Sequence, residues 1–92
     1  MLPPYHPPVK GSLTIAGHQT SISLEPLFWD MLRAAAEAEG VSVNTLVARI
    51  DGERLKSPTP PGLASAVRIW LVAQLAHEKN GGIAATAPLC DP

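Results

Sequence analysis

Hydrophobic and polar residues alternate through the run SLTIAGHQTSISL, residues 12–24, but the alternation changes phase partway. Leu13 and Ile15 are apolar at odd positions, Ile22 and Leu24 at even ones. Successive side chains of a strand point to opposite faces, so one unbroken strand would put these pairs on opposite sides. Gly17 is the natural place for a bend, bulge or break. The pattern predicts one main strand, Gln19–Leu24, with Thr20, Ile22 and Leu24 on one face. Gln19, Ser21 and Ser23 form the other, wholly polar face. The path of residues 12–17 stays open at this point. Carried straight on, they place Leu13 and Ile15 beside the polar face; turned at Gly17, they leave it clear.

After Glu25 the period becomes helical. Pro26 suits a first helical position, and Asp30 suits the positive end of a helix. Phe28, Met31, Leu32 and Ala35 recur at i, i+3, i+4, i+7, with Trp29 widening the stripe. Gly40 is the stop signal. A second helix begins after Ser42, a good N-cap, and carries Leu46, Val47 and Ile50 on one face. Gly52 weakens it by about 1 kcal/mol relative to alanine and is a candidate end. The run from Ser57 to Gly62 (SPTPPG) is a rigid breaker. A third helix is predicted over 63–78. Leu63, Ala66, Val67, Trp70, Leu71 and Leu75 make one stripe, and Ile69, Val72, Ala73 and Ala76 a second. A helix apolar around so much of its circumference is covered on more than one side. In a chain this small, a second copy is expected to supply part of that cover.

Composition narrows the class. Ninety-two residues, 46% hydrophobic and 16% charged, make one small globular domain and argue against disorder. No stretch reaches the roughly 20 apolar residues of a membrane span, and no export signal opens the chain, so the expected compartment is the cytoplasm. A single cysteine, Cys90, excludes an internal disulfide framework and a cysteine-built zinc site. Four prolines in residues 1–11 predict a disordered proline-rich arm. The domain then spans 12–78, and 79–92 is a flexible tail. No internal repeat is evident. A chain of this size is marginal alone, and a lone strand has no ladder partner unless residues 12–16 fold back on it. Antiparallel pairing with the same strand of a second molecule is the simplest remedy.

The order Gln19-Thr20-Ser21-Ile22-Ser23-Leu24-Glu25, then Phe28-Trp29-Asp30-x-Leu32, then Gly40-x-Ser42-Val43-Asn44-x-Leu46-Val47 resembles the ribbon-helix-helix superfamily of Arc and MetJ repressors. Ile50-Asp51 and Leu63-Ala64-Ser65-Ala66-Val67-Arg68 are similar to a subfamily of short bacterial proteins with a third helix. The resemblance covers residues 17–76. It implies a mainly α fold with one β-strand, an intertwined homodimer of β-α-α units plus a third helix. Ile22, Leu24, Phe28, Leu32, Leu46, Val47, Ile50 and Trp70 would fill the dimer core. It further implies a sequence-specific DNA-binding transcriptional regulator or antitoxin-like autorepressor, with a toxin or other protein as a further partner.

Two places carry the corresponding chemistry. A two-stranded ribbon fits the major groove, where glutamine pairs bidentately with adenine and serine with several base edges. By resemblance Gln19, Ser21 and Ser23 are the base readers, although none is basic and two are short. The start of a helix offers unpaired N–H groups and a positive dipole to phosphate. By resemblance Ser42, Val43 and Asn44 are the phosphate clamp. Residues 1–24 contain no acid, and Lys10 and His18 are candidates for auxiliary DNA contacts. A net charge of −1 excludes a protein that coats nucleic acid by bulk charge. His6, His18 and His77 share no ligand spacing, Asp51 and Glu53 diverge on their helix, and no nucleophile triad or phosphate loop is present. No cofactor, metal or enzymatic activity is therefore expected. The rival reading is a dimer that serves as a protein-interaction module without DNA.

Overall fold

The computed structural model describes residues 5–79. Two strands, β1 (Val9–Ile15) and β2 (His18–Leu24), precede three helices, α1 (Pro26–Glu39), α2 (Val43–Arg54) and α3 (Leu63–Lys79). The expectation of a single strand is thereby corrected. Residues 9–15 fold back antiparallel on β2, with Val9 opposite Leu24, Ser12 opposite Ser21 and Ile15 opposite His18. The turn is Ala16-Gly17, with φ of 53° and 80°. Positive φ at both central residues is what a type I′ two-residue hairpin requires, and its twist matches that of the strands. Directly opposed residues share a face, so odd positions of β1 join even positions of β2. The phase change in the sequence is the mark of this hairpin. Because β1 supplies the ladder, the backbone no longer demands a partner strand from a second molecule.

β1 takes in Val9, Lys10 and Gly11, which composition alone assigns to the proline-rich arm. The first four residues of that arm and the tail from residue 80 on, Cys90 included, lie outside the described residues. Ala16 holds a Cβ in the left-handed region, which costs an L-residue roughly 1–2 kcal/mol. Glycine there would lose about 0.4–1 kcal/mol through the freer unfolded chain. Ala16→Gly is therefore expected to stabilise the fold by up to about 1 kcal/mol, seen as a higher urea midpoint at unchanged slope.

Glu25 precedes α1, and its carbonyl accepts from Phe28 and Trp29 N–H at 2.9 and 3.1 Å. Gly40, at φ 71°, closes the helix, and Val41 N–H donates to Ala36 O at 3.0 Å. The buried face is centred on Trp29, Leu32 and Ala36, with Phe28, Met31 and Ala35 half-buried at its margin. Ser42 caps α2, its Oγ accepting from Thr45 N–H at 3.0 Å. The helix runs through Gly52 to Arg54. Arg54 pairs with Asp51 at 2.7 Å and donates to Pro61 O at 3.0 Å, which ties the proline loop to the helix. Of α3, Ala66, Val67 and Leu71 face inward, while Ile69, Val72 and Leu75 are half or more exposed.

The core lies between the ribbon and the three helices. Leu13, Ile22 and Leu24 come from the sheet, Leu32 from α1, Leu46, Val47 and Ile50 from α2, and Val67 and Leu71 from α3. Ile22, Leu24, Leu32, Leu46, Val47 and Ile50, expected in a dimer core, are thus already buried by the single chain. Phe28 and Trp70 are half-buried against the same cluster.

Candidate nucleic-acid interface

The hairpin has one apolar and one polar face. Leu13, Ile22 and Leu24 point into the core, while Lys10, Ser12 and Thr14 of β1 and Gln19, Ser21 and Ser23 of β2 are all exposed. Across the ribbon Lys10 lies opposite Ser23, Ser12 opposite Ser21 and Thr14 opposite Gln19. The polar surface is therefore six residues from one chain, where the sequence points to three. Ser12 and Thr14 escape a sequence reading that leaves residues 12–17 unplaced. Lys10, assigned only an auxiliary contact, belongs to this face. His18 is exposed at the turn, in register with the inward-facing positions.

Each edge of the ribbon is tied to a helix. Thr14 N–H, on the outer edge of β1, donates to Asn44 Oδ1 at 3.2 Å. This bond fixes the start of α2 beside the ribbon. Ser42, Val43 and Asn44, with Lys10, Ser12 and Arg33, line a shallow concavity of about 380 Å³ there. The Ser42 hydroxyl is engaged with Thr45, and the Asn44 side-chain oxygen with Thr14. What these residues present to an anion is mainly backbone N–H. Among the described residues, Val43 and Asn44 N–H find no intrachain acceptor. Arg33 adds a cation, since its bond to Asp30 joins two well-exposed side chains and is worth little.

On the other edge, Arg68 of α3 donates to Ser23 O at 3.2 Å and to Glu25 Oε1 at 3.0 Å, and its guanidinium lies 5.8 Å from the Phe28 ring centre. The Glu25 carboxyl is held below its ordinary value, first by a hydrogen bond from its own backbone N–H and then by Arg68. A carboxylate favoured in the fold stabilises it above the unfolded pKa and loses that contribution as pH falls through the lowered folded value. Glu25→Gln is expected to be less stable than the parent at pH 7. The difference should shrink as pH is lowered through the acid range, as read from urea midpoints at pH 7 and pH 3. An unchanged difference would remove the charge from the explanation.

Among the described residues no group of histidine, cysteine and carboxylate side chains could hold a metal ion. No described helix is long and apolar enough to cross a membrane. A ribbon-helix-helix domain model matches residues 8–75. The chain belongs to the ribbon-helix-helix family. Members of that family generally bind DNA as transcription regulators, and theirs is a regulatory fold rather than an enzyme family. The chain is also similar to a solved structure, that of an uncharacterized protein from Bordetella pertussis Tohama I. That likeness has a TM-score of 0.69 at 29% identity, over 89% of this chain and 68% of the other. No curated protein matches the chain.

Proposed function

We propose that this ribbon-helix-helix protein is a sequence-specific DNA-binding transcriptional regulator that inserts its hairpin into the major groove. The observation that carries the proposal is the polar face of the ribbon, exposed and free of acids, with the start of α2 held against its edge by Asn44. A two-stranded ribbon is narrow enough for the groove, while amide N–H groups at a helix start suit the adjacent phosphate. Lys10, Ser12, Thr14, Gln19, Ser21 and Ser23 would meet base edges. Val43 and Asn44 N–H, the Ser42 turn and Arg33 would hold the backbone. Autorepression or an antitoxin role would follow if the site lies in its own operon.

The test is a fluorescence anisotropy titration on the DNA upstream of its own gene, at two salt concentrations. Gln19→Ala is expected to relax sequence preference, because a base contact is lost. Arg33→Ala should weaken all sequences alike and reduce the salt slope by about one. Equal loss of discrimination in both variants would contradict this division of roles.

Self-association belongs to the same proposal, on a different surface. Among the described residues, the exposed stripe of Ile69 and Val72 with the neighbouring Leu75 on α3 is an apolar surface that a second copy could cover. Sedimentation of the intact chain tests this. The same stripe favours the rival reading, a protein-interaction module, and an absence of DNA binding at low salt would select it.

A further inference from the structure

Asn44 faces two ways. It is the second residue of α2, and its backbone N–H has no intrachain acceptor among the described residues, which leaves that group to a phosphate. Its side chain goes to the hairpin, where Oδ1 accepts from Thr14 N–H at 3.2 Å. The helix cap needs nothing from it, because Ser42 Oγ accepts from Thr45 N–H at 3.0 Å and donates to Thr45 Oγ1 at 2.9 Å. Nor does the ladder need the Thr14 donor. Opposed residues of an antiparallel pair alternate between bonded and unbonded, and this N–H lies on the side of β1 away from β2. Core packing brings α2 under the sheet. Among the described residues, the Asn44 bond is the one hydrogen bond between the hairpin and α2.

We infer that Asn44 is a positioning residue. Its side chain sets the spacing between the surface that reads bases and the amides that hold phosphate, and so governs discrimination between sequences more than overall affinity for DNA. This inference rests on the DNA-binding reading above. It does not depend on how many strands, or whose, complete the reading surface. The bond lies on the edge of the hairpin opposite β2, so a second copy pairing with β2 leaves it in place. The physical argument is preorganisation. A specific complex engages base edges and phosphates at once, and the phosphate contacts fix the register in which bases are read. A nonspecific complex uses phosphate alone. Spacing held before binding favours the specific complex, because only that complex must otherwise lose entropy in ordering one surface against the other. A side chain contacting phosphate directly would strengthen both complexes alike. Asn44 is also uncharged, so its loss leaves counterion release and the salt slope unchanged.

The experiment is an anisotropy titration of the full chain, Asn44→Ala and Thr14→Pro against two duplexes of equal length, the DNA upstream of the gene and a scrambled sequence. Proline at an outward-pointing N–H of an edge strand removes the donor and spares the ladder. Each variant is expected to bind the upstream duplex about threefold to tenfold more weakly, the worth of one hydrogen bond, with scrambled-duplex affinity and salt slope unchanged. The double variant should lose no more than either single one, since both remove the same bond. Asn44 is exposed, so Asn44→Ala decides the question even where the proline variant does not fold. Equal weakening on both duplexes by Asn44→Ala would make its side chain a direct phosphate contact and overturn the inference. Hydrogen exchange supplies a measurement independent of DNA. The Thr14 amide should be protected in the parent, exposed in Asn44→Ala and protected again in Asn44→Asp, which retains the acceptor oxygen. A Thr14 amide that exchanges freely in the parent would sink the positioning role whatever the chain binds. Protection of that amide in a parent that prefers neither duplex would instead defeat the sequence-specific DNA reading, and this inference with it.

Discussion

Replacing Leu24 with alanine is expected to cost about 2–5 kcal/mol, the range for emptying a fully buried leucine site. Leu24 is the last residue of β2, has no exposed surface, and belongs to the cluster joining the ribbon to all three helices. Stability in a domain is only about 0.05–0.15 kcal/mol per residue, so the loss is a large fraction of all that a chain of this size possesses. The ribbon and helices share this leucine. Urea transitions followed by tryptophan fluorescence and by helical circular dichroism should therefore move together. A shift below about 1 kcal/mol, or ribbon loss with intact helices, would show that the hairpin is not anchored through Leu24.

Gly11→Ala is the second large effect, and its cause is overpacking. A Cβ on Gly11 would stand 2.5 Å from Cζ2 and 2.6 Å from Cη2 of Trp29. The indole cannot easily move aside, because it is buried and its Nε1–H donates to Val9 O at 2.8 Å. The expected loss is about 1–3 kcal/mol, beyond the fraction of a kcal/mol that alanine recovers in backbone entropy. Phenylalanine lacks the outer indole atoms, so the same substitution in a Trp29→Phe background should cost less. The double-mutant cycle measures that coupling. If Gly11→Ala changes stability by under about 0.5 kcal/mol in the parent, the close approach is not a constraint on the fold. The glycine also bears on function, since Trp29 seated beneath it holds β1 flat against the helices with Lys10 and Ser12 facing out.

Local signals made much of this architecture legible. Gly40 and Ser42 punctuate the first two helices as their backbone chemistry demands, and the bounds of α1 and α3 follow from apolar spacing and breakers to within a residue, whereas α2 runs past its candidate end at Gly52 to Arg54. Leu46, Val47 and Ile50 are where a 3.6-residue period puts them. The inward face of α1 was less readable: its centre lies on Trp29, Leu32 and Ala36, one residue along from Phe28, Met31, Leu32 and Ala35. Tryptophan in a mixed apolar run has no preferred side until the opposing surface is known, and that surface is Gly11 of a distant strand.

The ribbon shows the same division at larger scale. The polar identity of Gln19, Ser21 and Ser23, and the alternation that exposes them, belong to the sequence because side-chain direction in a strand is a local property. Their partners are a different matter. Whether Leu13 and Ile15 extend the strand, break off or fold back depends on Ala16 adopting a left-handed backbone that alanine does not prefer. Pairing and core contacts decide that, and a window of sequence does not contain them. Sequence alone therefore determined which residues are polar, apolar or helical. Tertiary structure alone decided that both strands of the ribbon come from one chain, since strand pairing joins residues through a free-energy balance no local preference encodes.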